Sequence, residues 1–98
     1  MKQPEAKLVS HIRTFAEGRG AWVFKVHGGD SPFQEAGVPD ILCCYEGRFI
    51  GLEVKLAGGK ASPRQEVVLR RIRRAGGLAV VVRSVSEVEK IFERITRK

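Results

Sequence analysis

Apolar side chains between residues 5 and 18 recur at the spacing of one helical face. These positions are Leu8, Val9, Ile12, Phe15 and Ala16. They follow the i, i+4, i+7 pattern of an amphipathic helix. Glu5 precedes Leu8 by three positions and Val9 by four, so the pattern places this acid on the inward stripe. A first-turn glutamate is commonly a partner of the helix dipole, and the pattern leaves open whether Glu5 has a further role.

The next apolar segments have the composition of strands. They cover residues 21–26, Ile41–Tyr45 and Arg48–Val54, and Glu46-Gly47 between the last two is typical of a two-residue hairpin turn. The predicted register pairs Tyr45 with Arg48, Cys44 with Phe49, Leu42 with Gly51, and Asp40 with Glu53. Residues 27–36, from His27 onward, read as a loop that leads to Asp40 and frames the same region.

The predicted hairpin brings two acids face to face. Directly opposed side chains have Cβ atoms roughly 4.5–5.5 Å apart, and like charges at that distance repel. A divalent cation between Asp40 and Glu53 makes the arrangement favourable. Lys55 emerges on the same face as Glu53, because side chains alternate along a strand. Two acidic oxygen ligands beside an ammonium group suit metal-dependent phosphodiester hydrolysis; the alternative is two chance acids and a surface lysine.

The second half of the chain predicts a helix, a strand and a helix. Ser62-Pro63-Arg64-Gln65 has the N-cap, first-turn proline and third-position glutamine of a capping box. Gln65 is therefore a cap or an inward polar residue near the carboxylates. Residues 78–83 are almost uniformly apolar, which favours a central strand covered on both sides. Ser84 and Glu87 have the spacing of another capping box.

The resulting order is αβββαβα, an α/β domain with a mixed sheet and helices on both sides. At 98 residues the chain is expected to form one domain with one modest core. The sequence has neither an export signal nor a run long enough to span a bilayer, so an intracellular, cytoplasmic protein is expected. Cys43 and Cys44 point to opposite faces of a strand and are interpreted as reduced packing residues.

The net charge of +7 and pI near 10.0 indicate a polyanion as partner. Residues 60–83 hold seven basic side chains against one acid, Glu66. Their arginines also fit a merely solvated helix face. The candidates for contact with DNA are Lys60, Arg64, Arg70, Arg71, Arg73 and Arg74.

Pro39-Asp40 and Glu53-Val54-Lys55 match the two halves of the PD-(D/E)xK nuclease signature. The first-helix glutamate, Gly-x-Pro-Asp, Glu-x-Lys and the Ser-Pro-x-Gln helix start together resemble the virus-type replication-repair nuclease domain (VRR-NUC). The resemblance covers essentially the whole chain, and the layout is also similar to that of archaeal Holliday junction resolvases. It implies the restriction-endonuclease-like fold of that superfamily.

The resemblance also implies a site made of Glu5, Asp40, Glu53, Lys55 and Gln65. Asp40 and Glu53 would hold Mg²⁺, for which Mn²⁺ can substitute, with the Val54 carbonyl as a further ligand. Glu5 would complete the acidic cluster directly or through water. Lys55 would orient or activate the attacking water, or stabilise the transition state; the sequence does not separate these roles.

The function implied is a Mg²⁺-dependent DNA endonuclease that selects branched structures. Stand-alone relatives are implied to be homodimers that cut Holliday junctions, whereas versions embedded in larger enzymes act on flaps. Two alternatives remain open. One is a non-catalytic basic module that binds nucleic acid, and the other is a sequence-specific, restriction-type nuclease.

Overall fold

A computed structural model of the protein describes residues 3–26 and 35–97. Three helices and four strands lie in these ranges. They are α1 (Gln3–Gly18), β1 (Trp22–Lys25), β2 (Ile41–Tyr45), β3 (Arg48–Val54), α2 (Pro63–Arg74), β4 (Leu78–Val82) and α3 (Val85–Thr96). This order confirms the predicted αβββαβα arrangement. None of the three helices combines the length and apolarity needed to cross a membrane.

The hairpin of β2 and β3 has the predicted register. Tyr45 lies opposite Arg48, and the ladder continues to Ile41 opposite Leu52. Glu46 and Gly47 both have positive φ, at 50° and 79°. Two-residue hairpin turns require this conformation, because it matches the twist of the flanking strands. Asp40 and Glu53 therefore occupy the next opposed position beyond the ladder.

The sheet order is β1-β2-β3-β4, with β3 and β4 parallel and the other pairs antiparallel. The sheet is mixed, as predicted, but β4 is its terminal strand in the described part of the chain, so the prediction of a central position is wrong. Helices α2 and α3 both pack against β4. Its apolar run reflects these two covered faces rather than a strand neighbour on each side.

The main core lies between the sheet and helices α1 and α3. Alternate strand residues such as Ile41 and Leu52 meet Val9 and Ile12 of α1 there, all fully buried. Phe92 of α3 stacks on Tyr45 with ring centroids 4.1 Å apart. Burying each large apolar side chain contributes about 1.5–3 kcal/mol, and this layer holds the strands that carry the acids.

Helix α2 covers the other face of the sheet along β3 and β4. Gly51 permits this approach, since a Cβ there would lie 3.1 Å from Pro39 Cγ and 3.2 Å from Ile72 Cδ1. Leu69 and Ala79 are buried in this second layer. Side-chain alternation places Asp40, Glu53 and Lys55 on this face, opposite the main core.

The predicted capping box is complete at the start of α2 and only partly formed at the start of α3. Ser62 and Gln65 form the complete capping box of α2. At α3, Ser84 Oγ accepts from the Glu87 N–H at 3.1 Å. The Glu87 carboxylate, however, accepts from the Arg83 N–H at 2.6 Å. The predicted reciprocal box is therefore only half formed, because the preceding backbone N–H competes for the carboxylate.

Candidate active site

Asp40 is held at the end of β2 by backbone and side-chain hydrogen bonds. The Val26 N–H donates to its carbonyl at 2.8 Å, which continues the pairing of β1 and β2 by one position. Its Oδ2 accepts from the Val54 N–H, also at 2.8 Å. The preceding Pro39 is fully buried. Asp40 is thereby tied to the strand that carries Glu53.

Glu53 is a buried carboxylate, only 1% exposed, and pairs with Val81 in the parallel ladder of β3 and β4. Its Oε1 has no hydrogen-bond partner among the described residues. A buried polar atom left without a partner costs roughly 1–3 kcal/mol. Such exceptions are rare in native proteins and often mark a functional group or a site for an ion.

Lys55 supplies a positive charge beside Glu53. Its Nζ lies 3.4 Å from Glu53 Oε2, and its side chain is mostly buried. The Lys55 N–H donates to the Val82 carbonyl at 3.0 Å, so the backbone is anchored where β3 ends. The two side chains lie on one face, as the alternation of the strand predicts.

Burial raises the pKa of Glu53 from 4.5 to about 8. The neighbouring Asp40 carboxylate adds to this increase, and the Lys55 ammonium opposes it without cancelling it. Desolvation and a like charge both disfavour the ionised carboxylate. Two ionised carboxylates beside the one ammonium of Lys55 would leave an excess negative charge, which either a proton on Glu53 or a bound cation can neutralise.

The structure does not bring Glu5 into this pair. Glu5 is half-buried in the first turn of α1. Within residues 3–26 and 35–97, no three histidine, cysteine or acidic side chains are close enough together to hold a metal ion. Asp40 and Glu53 are the two acids whose side chains interact, and the roles of Glu5 and of the Val54 carbonyl stay predictions.

Gln65 has the cap position that the sequence left open. Its Oε1 accepts from the Ser62 N–H at 2.8 Å, and its own N–H donates to Ser62 Oγ at 3.2 Å. The cap occupies the amide oxygen, so any contact with a substrate falls to the amide NH₂ group. The cap is confirmed, and the site role of Gln65 stays a prediction.

Three of the predicted DNA-binding arginines have partners within the protein. Arg64 and Arg71 both approach Glu35 Oε1, at 3.5 and 3.0 Å. Arg73 donates to the Ala79 carbonyl at 2.8 Å. The other candidates are exposed residues, Lys60 before α2 and Arg70 and Arg74 on it. The role of all six residues in binding DNA stays a prediction.

The segment before Asp40 is packed on α2 in a way that the sequence analysis missed. Arg64 Nε donates to the Ala36 carbonyl at 3.2 Å. Gly37 has a φ of +86°, and a Cβ there would lie 2.8 Å from the Arg64 carbonyl. Glycine is required on both counts. The glycine of Gly-x-Pro-Asp was the sequence signal for this close contact. Residues 27–34 of the predicted loop, including His27, lie outside the described residues.

A solved structure entitled "VRR_NUC domain" is similar to this chain over nearly its whole length. The TM-score is 0.75 with 28% sequence identity, and the alignment covers 91% of this chain and 94% of the other. No family model matches the sequence, and no curated protein matches it.

The small mixed sheet flanked by helices is therefore that of a nuclease domain of the α/β class. More particularly, it is the VRR-NUC fold, and the resemblance seen in the sequence is confirmed.

Proposed function

We propose that this chain is a metal-dependent endonuclease that hydrolyses phosphodiester bonds in DNA. The observation that carries the proposal is Glu53, a buried carboxylate with a free oxygen beside Asp40 and an ammonium 3.4 Å from its other oxygen. A structural ion pair needs neither the second acid nor the unpaired oxygen. The similarity to a VRR_NUC domain supports the same reaction class.

The donor set suits Mg²⁺, with Mn²⁺ as a substitute. Magnesium prefers oxygen ligands and keeps several of its waters, so two carboxylates and one or two further oxygens suffice. Asp40 and Glu53 would hold the ion, and Glu5 and the Val54 carbonyl are the proposed additional ligands. When bound, such an ion lowers the pKa of a water ligand and stabilises negative charge on a phosphoryl group.

Three groups of the protein would position the metal ligand, the water and the substrate. The Val54 N–H fixes the Asp40 carboxylate through Oδ2, which holds one ligand in place before the substrate arrives. Lys55 is positioned to donate a hydrogen bond to the attacking water or to a phosphate oxygen, since its Nζ has three donors and Glu53 Oε2 occupies one. The Gln65 NH₂ group is a further donor for the substrate.

The surface chemistry favours recognition of DNA structure over sequence. Lys60, Arg70 and Arg74 are exposed cations of the kind that contact phosphates, and such contacts carry no base information. We infer that the substrate is branched DNA, in first place the four-way junction. Symmetric cleavage there requires two active sites, which a twofold homodimer supplies.

The test is a nicking assay on four-way junction, flap and linear duplex DNA with Mg²⁺, Mn²⁺ or chelator. We expect metal-dependent cleavage of branched substrates that Asp40→Ala and Glu53→Gln abolish. Glu93→Gln makes the same chemical change on exposed α3 and should leave cleavage intact. Equal activity in all variants would show a contaminant.

Two other outcomes would support the alternatives. Salt-sensitive DNA binding without cleavage in any divalent metal would indicate a basic binding module with structural carboxylates. Discrete bands from long linear DNA would indicate a sequence-specific, restriction-type nuclease.

A further inference from the structure

Arg83 is an exposed arginine directly after β4, and it is not among the six residues named above as candidates for contact with DNA. Within the described residues, none of the ion pairs involves its guanidinium. The nearby acid Glu87 accepts from the Arg83 backbone N–H at 2.6 Å instead. The Arg83 side chain therefore carries a positive charge that the described part of the chain does not pair with an acid.

Arg83 lies next to Lys55, on the face of the sheet that carries the acids. The parallel ladder of β3 and β4 extends to Val82, and the Val82 carbonyl accepts from the Lys55 N–H at 3.0 Å. The next opposed position belongs to Lys55 and Arg83, on strands that lie about 4.8 Å apart. Because Glu53 pairs with Val81 two positions earlier, side-chain alternation places Arg83 on the same face as Glu53 and Lys55.

A backbone carbonyl of the neighbouring turn orients the Arg83 guanidinium. Arg83 Nη1 donates to the carbonyl of Leu56, the residue after Lys55, at 3.3 Å. The same carbonyl accepts from the Gly59 N–H at 3.0 Å, which closes a turn with Gly58 at a φ of 82°. Arginine has five N–H donors in a fixed fork, and the Leu56 carbonyl occupies one of them. The remaining donors are available for the oxygens of a phosphate group, which this fork matches.

The charges change sign across this edge of the sheet. Asp40 precedes β2, Glu53 and Lys55 lie at the end of β3, and Arg83 follows β4. Adjacent cations repel each other as adjacent acids do, and an anion between them removes this cost. If the two acids hold a divalent ion, their charge is neutralised by it. The charges of Lys55 and Arg83 are then both available for one anion.

We propose that Arg83 is a further substrate-binding residue, which together with Lys55 holds one phosphate group of the DNA beside the two acids. This inference rests on the proposed function for the identity of the substrate, and it adds a residue to that site. Phosphate contacts fix the position of DNA without reading its bases. Arg83 therefore determines which phosphate of the backbone lies next to Asp40 and Glu53.

The alternative is that Arg83 only caps the Leu56 carbonyl. A cap acts on the stability of the turn and leaves the affinity for DNA unchanged. Two substitutions separate these roles, because Arg83→Lys keeps the charge without the fork, whereas Arg83→Gln removes the charge. Melting temperatures of both variants report the structural contribution independently of DNA.

The experiment measures binding to a four-way DNA junction by fluorescence anisotropy, in chelator and at several salt concentrations. We expect Arg83→Gln to weaken binding about tenfold, because one charge-assisted contact is lost. The slope of log affinity against log salt should fall by about 1. Arg83→Lys should restore the slope and part of the affinity. Arg94→Gln removes the same charge from exposed α3, on the other side of the sheet, and should change the affinity by less than about twofold.

A series of junctions, each with a single neutral methylphosphonate, identifies the phosphate that Arg83 contacts. For the natural protein, one position near the branch point should weaken binding about tenfold. Arg83→Gln should be insensitive to that position, while Arg70→Gln, which removes another exposed cation, should remain sensitive. With Mg²⁺, the natural protein should cut the unmodified junction at or next to the same phosphate.

Equal binding by Arg83→Gln and the natural protein would overturn the inference, even if the junction is cut, and a lowered melting temperature would then assign Arg83 to the cap. So would sensitivity of Arg83→Gln to every methylphosphonate that affects the natural protein, because the effect would then be one of general charge. Binding through Arg83 without cleavage in any divalent metal would overturn the nuclease proposal alone. A natural protein that binds no DNA would overturn both.

Discussion

Two clusters of charge lie near the ends of the segment from Glu35 to Asp40, and they differ in burial. In one, Glu53 is buried beside Asp40 and Lys55. In the other, Glu35 joins Arg64 and Arg71, and all three side chains are about half exposed or more. The same ion-pair chemistry therefore acts in a poorly solvated environment in one cluster and in water in the other.

The difference shows how burial changes the properties of a carboxylate that is paired with a cation. Burial raises the pKa of Glu53 to about 8, and its unpaired Oε1 costs stability. Exposed ion pairs contribute roughly 0–1 kcal/mol each, so the Glu35 cluster mainly orders the chain that leads to Asp40. A destabilising group retained in a small domain is typical of a functional site.

The largest expected effect is that of Glu53→Gln. Losing a metal ligand removes several kcal/mol of charge stabilisation in the transition state, so we expect cleavage to fall at least about 100-fold. The melting temperature measured at pH 9 should stay equal or rise, since a buried charge becomes a neutral amide. A variant that is both inactive and strongly destabilised would contradict the functional interpretation of this residue.

The pH dependence of stability should follow Glu53. Its pKa is raised in the folded state, so the folded protein binds the proton more tightly than the unfolded chain does. Stability is therefore greatest below about pH 4.5 for this group and is lost as pH rises toward 8. Thermal melts from pH 5 to 9 in chelator should show a decline that Glu53→Gln reduces. Saturating Mg²⁺ should offset the loss above pH 8. Equal slopes for both proteins would contradict the assignment.

Substitutions of Asp40 should separate its structural role from its charge. Asp40→Ala removes the acceptor of the Val54 N–H and should cost about 1–3 kcal/mol. In a domain of this size each kcal/mol lowers the melting temperature by about 4–8 °C. Asp40→Asn keeps an oxygen acceptor and should be nearly as stable as the natural protein, yet equally inactive. Identical melting temperatures for the two variants would show that the hydrogen bond contributes nothing.

The smallest stability effects are expected in the exposed cluster. Glu35→Gln and Arg71→Gln should each change the free energy of unfolding by less than about 1 kcal/mol. DNA binding distinguishes them, because Glu35 competes with phosphate for Arg64 and Arg71. Glu35→Gln should tighten binding and steepen its dependence on salt, while Arg71→Gln should weaken both. Fluorescence anisotropy in chelator at several salt concentrations measures this.

The double variant of Glu35 and Arg71 is the matched control. Once Arg71 is gone, Glu35→Gln should bring a smaller gain in affinity than in the natural protein. An unchanged gain would mean that Glu35 acts on DNA through general repulsion alone.

The sequence predicted the parts of this fold that depend on neighbouring residues. The turn at Glu46-Gly47 determines the hairpin register, and alternation then determines which side chains share a face. Asp40, Glu53 and Lys55 are together for that reason. The capping box of Ser62 and Gln65 is equally local. The backbone N–H groups of Arg83 and Ser84 compete for the Glu87 carboxylate, and Arg83 binds it. A pattern of residue types does not predict which of the two groups does so.

Other features depend on contacts between segments distant in the chain. The apolar run of β4 indicates that both faces are covered, but lateral position in the sheet is decided by strand pairing, and β4 lies at the end. Glu35 meets Arg64 and Arg71, which follow it in the chain by 29 and 36 positions. Helix α2 packs along β3 and β4, and Trp22 and Phe24 of β1 stay exposed on the same side of the sheet.

The amino-acid sequence alone determined the order of elements, the hairpin register and the identity of the paired acids, because short-range sterics and side-chain alternation suffice for these. Only the tertiary structure decided the burial of Glu53, and with it the unpaired oxygen and the raised pKa. Burial is a property of the layers packed around a residue, and those layers come from segments that no local pattern connects.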